Sequence, residues 1–210
     1  MSTWSRDPVI RSSALIGGLL AFTFSAGADV ADIARECDEC HGDNGVSTES
    51  DVPTIAGMSA FVLEDYLLTY QDEGRPCHET KYRGGDTERP ATSMCEIAAR
   101  LSEDEVAAVA AHYADKPFVP AVQPFDAAKA AEGAGIHKRE CEKCHTENAS
   151  NSDDDAGIMA GQWIPYLQQV FEDYSTGERK MVEEKMQDKF DALSDEQKEA
   201  LIHFYGSQQQ

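Results

Sequence analysis

The chain has 210 residues, is 41% hydrophobic and carries a formal net charge of −21. Such acidity argues against binding to nucleic acid or to an anionic membrane surface, and this length holds one large domain or two small ones. Small domains bury proportionally little surface, so they often need a metal, a disulfide or a bound group to complete a core.

In chain order, the first predicted element is an export signal. Arg6 and Arg11 flank a short apolar run from Ala14 to Phe24, and Ala26-Gly27-Ala28 has the small residues of a cleavage site. Residues 1–28 are expected to leave as a signal peptide, so that the mature chain begins at Asp29. An uncleaved anchor is the alternative, but the run is short for a transmembrane helix. No later segment is apolar enough to span a bilayer, so no membrane span is expected in the mature chain. Export implies the periplasm and an oxidising compartment for the six cysteines.

A helix over Val30 to Cys40 enters the motif Cys37-Asp38-Glu39-Cys40-His41. The span Ser59 to Glu73 has the 3.6-residue period of a helix, and its stripe Phe61, Leu63 and Tyr66 is expected in the core. Gly74 to Ser93 is polar, rich in Gly and Pro, and contains Cys77; Met94 and Cys95 follow. Ser102 with Glu105 forms a capping box for a helix running to about Asp115. Pro117, Pro120 and Pro124 mark an extended linker. The second half repeats the order, with helices over Phe125 to Cys144 and Trp163 to Tyr174, and a third capped by Ser194 with Gln197. No strand pattern of comparable length is present. The fold class is all-α, with a first domain at 29–116, a linker at 117–124 and a second domain at 125–210.

The halves superimpose in sequence. An offset of 104 maps Cys37 to His41 onto Cys141-Glu142-Lys143-Cys144-His145, Ala56-Gly57 onto Ala160-Gly161, and Tyr70 onto Tyr174. An offset of 92 then maps Met94 onto Met186, Leu101-Ser102 onto Leu193-Ser194, and Tyr113 onto Tyr205. The first half therefore carries 12 extra residues, and the pattern reads as duplication of one small domain.

Cysteines three apart share one face of a helical turn. That face presents two thiols to the two vinyl groups of a haem, and the following histidine reaches the iron. A zinc site would need four converging ligands, and a thiol–disulfide site would call for a βαβ context that is absent. The pentapeptide therefore points to two c-type haems, attached through Cys37, Cys40, Cys141 and Cys144 and ligated by His41 and His145. For the sixth ligand, recurrence favours Met94 and Met186 over Met58, Met159 and Met181, although methionines more often fill cores. Met/His ligation raises the potential and leaves no open iron position. The Pro53 carbonyl is placed to accept a hydrogen bond from His41, with Gly157 as its counterpart; that Pro53 merely ends a loop is the other reading.

Cys77 and Cys95 are a candidate disulfide closing an 18-residue loop beside Met94, with a redox-active pair as the alternative. His78, His112, His137 and His203 lack repeated counterparts and read as surface or packing residues. Trp163 and Tyr166 read as helix packing, with contact to the second haem or between the halves as alternatives. Asp153, Asp154 and Asp155 read as a solvated loop. The acidity itself reads first as solubility and second as a docking face for a basic partner.

The duplicated motif, the Ala-Gly segments and the methionine before Leu-Ser resemble class I dihaem cytochromes c. The second half, through Phe125-Asp126, Cys141 to His145, Ala160-Gly161-Gln162-Trp163, Pro165-Tyr166-Leu167-Gln168 and Lys185-Met186, is similar to the cytochrome subunit of flavocytochrome c sulfide dehydrogenase. That resemblance implies two tandem cytochrome c-like domains and a heterodimer with an FAD-containing sulfide dehydrogenase subunit. Electrons would pass to a small soluble acceptor, and this chain would perform no substrate chemistry of its own. The Cys77/Cys95 pair departs from that pattern. A free-standing dihaem carrier feeding a terminal oxidase and a dihaem peroxidase-like enzyme are the alternatives.

Overall fold

The computed structural model describes residues 29–181 and 183–210; the proposed signal peptide lies outside them. The first half contains α1 (Val30–His41), α2 (Ala60–Gln71), α3 (Met94–Ala98) and α4 (Glu103–Ala114). The second contains α5 (Ala127–Glu140), α6 (Thr146–Ala149), α7 (Ile164–Thr176), α8 (Glu184–Asp191) and α9 (Asp195–Gly206).

Helix starts follow local chemistry. Asp29, Ser59 and Asp126 cap α1, α2 and α5 through side-chain oxygens that accept from backbone N–H groups. Reciprocal capping boxes open α4 (Ser102, Glu105) and α9 (Ser194, Gln197). The short helices α3 and α8 are too brief to register as a periodicity. Among the described residues, the surplus segment 74–93 holds one isolated antiparallel bridge, Thr80 to Thr92.

Each half has its own core. In the first, Ile33, Val62, Leu63, Val109 and Tyr113 pack α1 and α2 against α4. In the second, Ile136, Leu167, Phe171, Phe190, Phe204 and Tyr205 pack α5, α7 and α8 around α9. The expected stripe on α2 is corrected at one position: Leu63 is buried, but Phe61 is 66% exposed. Neighbouring helix positions point 100° apart, so Phe61 and Leu63 do not share a face.

The duplication is visible in the backbone. Ile55 and Ala56 donate to the Gly45 carbonyl at 2.8 and 3.1 Å, and their counterparts Met159 and Ala160 donate to the Ala149 carbonyl at 3.0 and 3.2 Å. Gly57 donates to Tyr113, and Gly161 to Tyr205, each at 2.9 Å. Gly45 has φ +76°, and Ala149 holds the same left-handed conformation at φ +69°.

The halves are registered by Gln162. Its side chain is fully buried, accepts from Thr54 N at 3.0 Å and donates to Thr54 O at 2.8 Å. Under the repeat, Thr54 corresponds to Ile158 and Gln162 to Met58, and those two side chains join the same apolar cluster. One interface element is thus used twice, once polar and once apolar, as in a two-fold contact. Trp163 Nε1 donates to Ser47 O and Tyr166 N to Ser50 O, both at 3.0 Å, so these residues join the halves rather than only packing their own helix. The linker is extended and tied down: Ala121 N donates to Gly161 O at 2.8 Å, and the Gln123 amide bonds Gln162 O and Ile164 N.

Replacing Gln162 by Leu leaves a buried N–H and a buried C=O on Thr54 without partners, each worth about 1–3 kcal/mol. Gln162→Leu is expected to lower stability by about 2–4 kcal/mol in denaturant titration, and wild-type stability would show that water replaces both bonds.

Candidate functional site

The first motif lies on the last turn of α1, where Cys37, Cys40 and His41 face a cavity of about 670 Å³. That volume falls in the range of cofactor and small-molecule sites. Asp38 holds the motif in place. Its carboxylate accepts from Asn44 N at 3.2 Å, Gly45 N at 3.1 Å and the Tyr113 hydroxyl at 2.8 Å. Tyr113 also bonds Ala34 O at 2.9 Å, so α4 clamps α1 one turn before the motif.

His41 is buried, and its Nδ1 lies 2.9 Å from the Pro53 carbonyl. A carbonyl can only accept, so Nδ1 carries the proton and Nε2 keeps a lone pair free for a metal. Burial lowers the pKa of His41, which favours the neutral, ligating form. Met58 and Met94 also line the cavity, and Met94 is the first residue of α3, capped by Ser93. Cys77 and Cys95 form a disulfide with Cα atoms 5.5 Å apart, next in sequence to Met94.

The thiols do not look like a reactive pair. Burial pushes the Cys37 thiol up to about 12 and raises Cys40 and Cys141 as well. A nucleophilic or redox thiol needs the opposite shift. Among the described residues, neither motif contributes to a cluster of metal-type Cys, His, Asp and Glu ligands.

The second motif is arranged differently. The expected helix to Cys144 is corrected: α5 ends at Glu140, and Cys141 to His145 form a turn in which Cys144 N and His145 N both bond Cys141 O. The cause is traceable to three residues. Glu142 stands where Asp38 stands, and it reaches His137 Nε2 at 2.7 Å instead of the following loop. His137 takes the place of Ile33 in the core and receives Tyr205 at 3.1 Å. His137 is therefore a buried packing residue. His145 Nδ1 is buried with no partner among the described residues, so the expected bond to Gly157 is absent. Cys141, Cys144, His145 and Met186 do not line the large cavity. Met186 lies half-buried in the first turn of α8, whereas its rival Met181 packs against the second core. The acidic loop is not wholly solvated either: Asp154 caps Thr146 N at 2.6 Å.

Two arginines that sequence reading passed over complete the cavity. Arg75 and Arg179 are 6% and 8% exposed, and among the described residues neither has a carboxylate within ion-pair distance. The 104-residue offset relates them. Arg75 lies 3.8 Å from the Tyr66 ring centroid and 4.8 Å from that of Tyr70; Arg179 lies 4.6 Å from that of Tyr174, the counterpart of Tyr70. Arg75 Nε is buried and unpartnered. Such a pair of cations suits an anionic occupant, and the shared offset was the available signal.

No family model and no curated protein sequence matches the chain. Solved structures do. Reduced recombinant cytochrome c4 from Pseudomonas stutzeri is 22% identical with a TM-score of 0.66, the match covering 84% of this chain and 95% of that one. Cytochrome c4 from Acidithiobacillus ferrooxidans is 22% identical with a TM-score of 0.64, covering 82% and 99%. The fold is a tandem pair of cytochrome c domains. A thiosulfate dehydrogenase from Marichromatium purpuratum is 20% identical with a TM-score of 0.63, covering 81% of this chain but 36% of that one. No helix among the described residues is long and apolar enough to cross a membrane.

Two stability changes test this geometry. Replacing Cys77 and Cys95 by Ser is expected to cost about 3 kcal/mol for a loop of this length, measured by thermal unfolding. Ala149→Gly removes a side chain from a left-handed conformation and is expected to add about 1 kcal/mol. A loss on that change would mean that the buried methyl group contributes more than the strain costs.

Proposed function

We propose that the protein is an exported electron carrier with two covalently attached c-type haems, one in each domain. The observation that carries this reading is the first motif: two thiols, an imidazole with its Nδ1 proton fixed by Pro53, and Met94 all face one cofactor-sized cavity. Cys37 and Cys40 would hold the first haem, with His41 and Met94 as the residues that would ligate its iron. Cys141 and Cys144 would hold the second, with His145 and Met186. A bound haem supplies a one-electron iron couple. The chain's residues supply attachment, a pre-oriented imidazole, apolar walls from Ile55, Leu63 and Val109, and two buried arginines for the haem's carboxylates. In the second domain the unpartnered His145 Nδ1 and the turn at the motif mean that attachment there entails local rearrangement. Methionine ligation at both irons would leave no open position for peroxide, which is the argument against a peroxidase role.

For the donor, two readings are carried. The resemblance of Ala160-Gly161-Gln162-Trp163 and its surroundings supports an FAD-containing sulfide dehydrogenase subunit, with a small soluble acceptor downstream in the periplasm. The match over 95% and 99% of two cytochromes c4 supports a free-standing carrier instead. A stoichiometric flavoprotein in the native preparation would establish the first reading, and a lone monomer the second.

Intact mass is expected to show two haems on the chain exported with its own leader. Met94→Ala is expected to abolish the methionine–iron absorption band of one haem and lower its potential. An unchanged spectrum would remove Met94 as the ligand, and ready carbon monoxide binding by the wild type would remove methionine ligation at that iron.

A further inference from the structure

A group of ligand-type side chains, two of which also line the cavity, bridges the two domains. Asp173, on α7, is 5% exposed, and its carboxylate has neither lysine nor arginine as an ion-pair partner among the described residues. Its partners are His78, whose Nε2 lies 2.9 and 3.1 Å from its two oxygens, and Gln169, whose amide donates at 2.8 Å. Glu178 follows the end of α7 at Gly177 and brings a second carboxylate. One ligand atom from each of His78, Asp173 and Glu178 lies within 4.8 Å of the other two.

We propose that His78, Asp173 and Glu178 form a binding site for one divalent transition-metal ion of the zinc class. Zinc binds nitrogen and carboxylate oxygen at about 2.0–2.1 Å in a tetrahedron, which separates ligand atoms by about 3.3 Å. From a separation of at most 4.8 Å, the three atoms close to that spacing by shifts of about 1.5 Å or less. The ion would replace the proton that His78 now shares with Asp173, and water would complete the shell. The imidazole selects against magnesium and calcium, which prefer all-oxygen shells. Gln169 fixes the Asp173 carboxylate, an orienting bond of the kind that supports metal ligands.

Placement gives the site its character. His78 belongs to the first half and adjoins Cys77, whose disulfide to Cys95 anchors it. Asp173 and Glu178 belong to the second half, so the ion would clamp the domains together. His78 lies in the segment 74–93 that holds the 12 extra residues, and the second half has no histidine between His145 and His203, so the repeat provides one such site per chain, not two. The site draws no ligand from either motif.

The test uses the full mature protein as purified, with any free thiols alkylated. It is dialysed against Zn²⁺ with magnesium in large excess to occupy surface carboxylates, and bound zinc is counted by mass spectrometry. One saturable zinc per chain is expected, weakened at least about tenfold by His78→Gln and by Glu178→Gln, and lost in Asp173→Asn. Asp173 is buried and its replacement can disturb the interface, so the half-exposed His78 is the deciding position. Zinc binding weakened less than tenfold by H78Q, or no saturable binding by the wild type, overturns the site.

Discussion

The paired hydrogen bonds between the Gln162 side chain and the Thr54 backbone set one half against the other. A primary amide can donate and accept in parallel, so it satisfies one residue's N–H and C=O as a strand neighbour would. Around this lock the cavity takes its shape. Its walls combine α1, α2 and α4 of the first half with Pro165, Tyr166, Gln169 and Arg179 of the second. The contact of Arg179 with the Tyr66 ring and the His78–Asp173 pair cross between the halves and occur only because they meet in this register.

Duplication produced two halves with the same scaffold and different local chemistry at the motif. Asp38 is short enough to bond the turn that follows its helix, and it holds Cys37, Cys40 and His41 on a helical face. Glu142 is one methylene longer and turns inward to His137. The helix then ends before its motif. A single methylene and one core histidine accompany this difference between the two motifs. The hydrogen bonds to Gly45 and Ala149, Tyr113 and Tyr205 persist because they are made by the backbone and tolerate side-chain drift.

The charge is unevenly distributed in a meaningful way. A chain with a net charge of −21 keeps two arginines buried without carboxylate partners. Burying an unpaired cation is costly, and aromatic faces offset only part of that cost. Two such cations suit an anionic occupant, and both line the cavity between the halves. The acidic exterior remains available for solubility and for a basic partner.

The sequence by itself determined the all-α class, the duplication and the two Cys-x-x-Cys-His motifs, because these rest on local period, capping and spacing. It also offered Pro53 as a candidate partner of His41, and the structure chose that reading over a simple loop end. Tertiary structure alone decided the rest. Arg75 and Arg179 drew no notice in the sequence, and only the fold shows them buried at the cavity. Tyr166 and Trp163 read as packing within one helix, but their partners Ser50 and Ser47 lie more than 100 residues away. The unequal motifs depended on where Glu142 and His137 turn, which sequence similarity between the halves concealed. Local patterns are written every few residues along a chain, whereas contacts between domains join residues whose spacing carries no period.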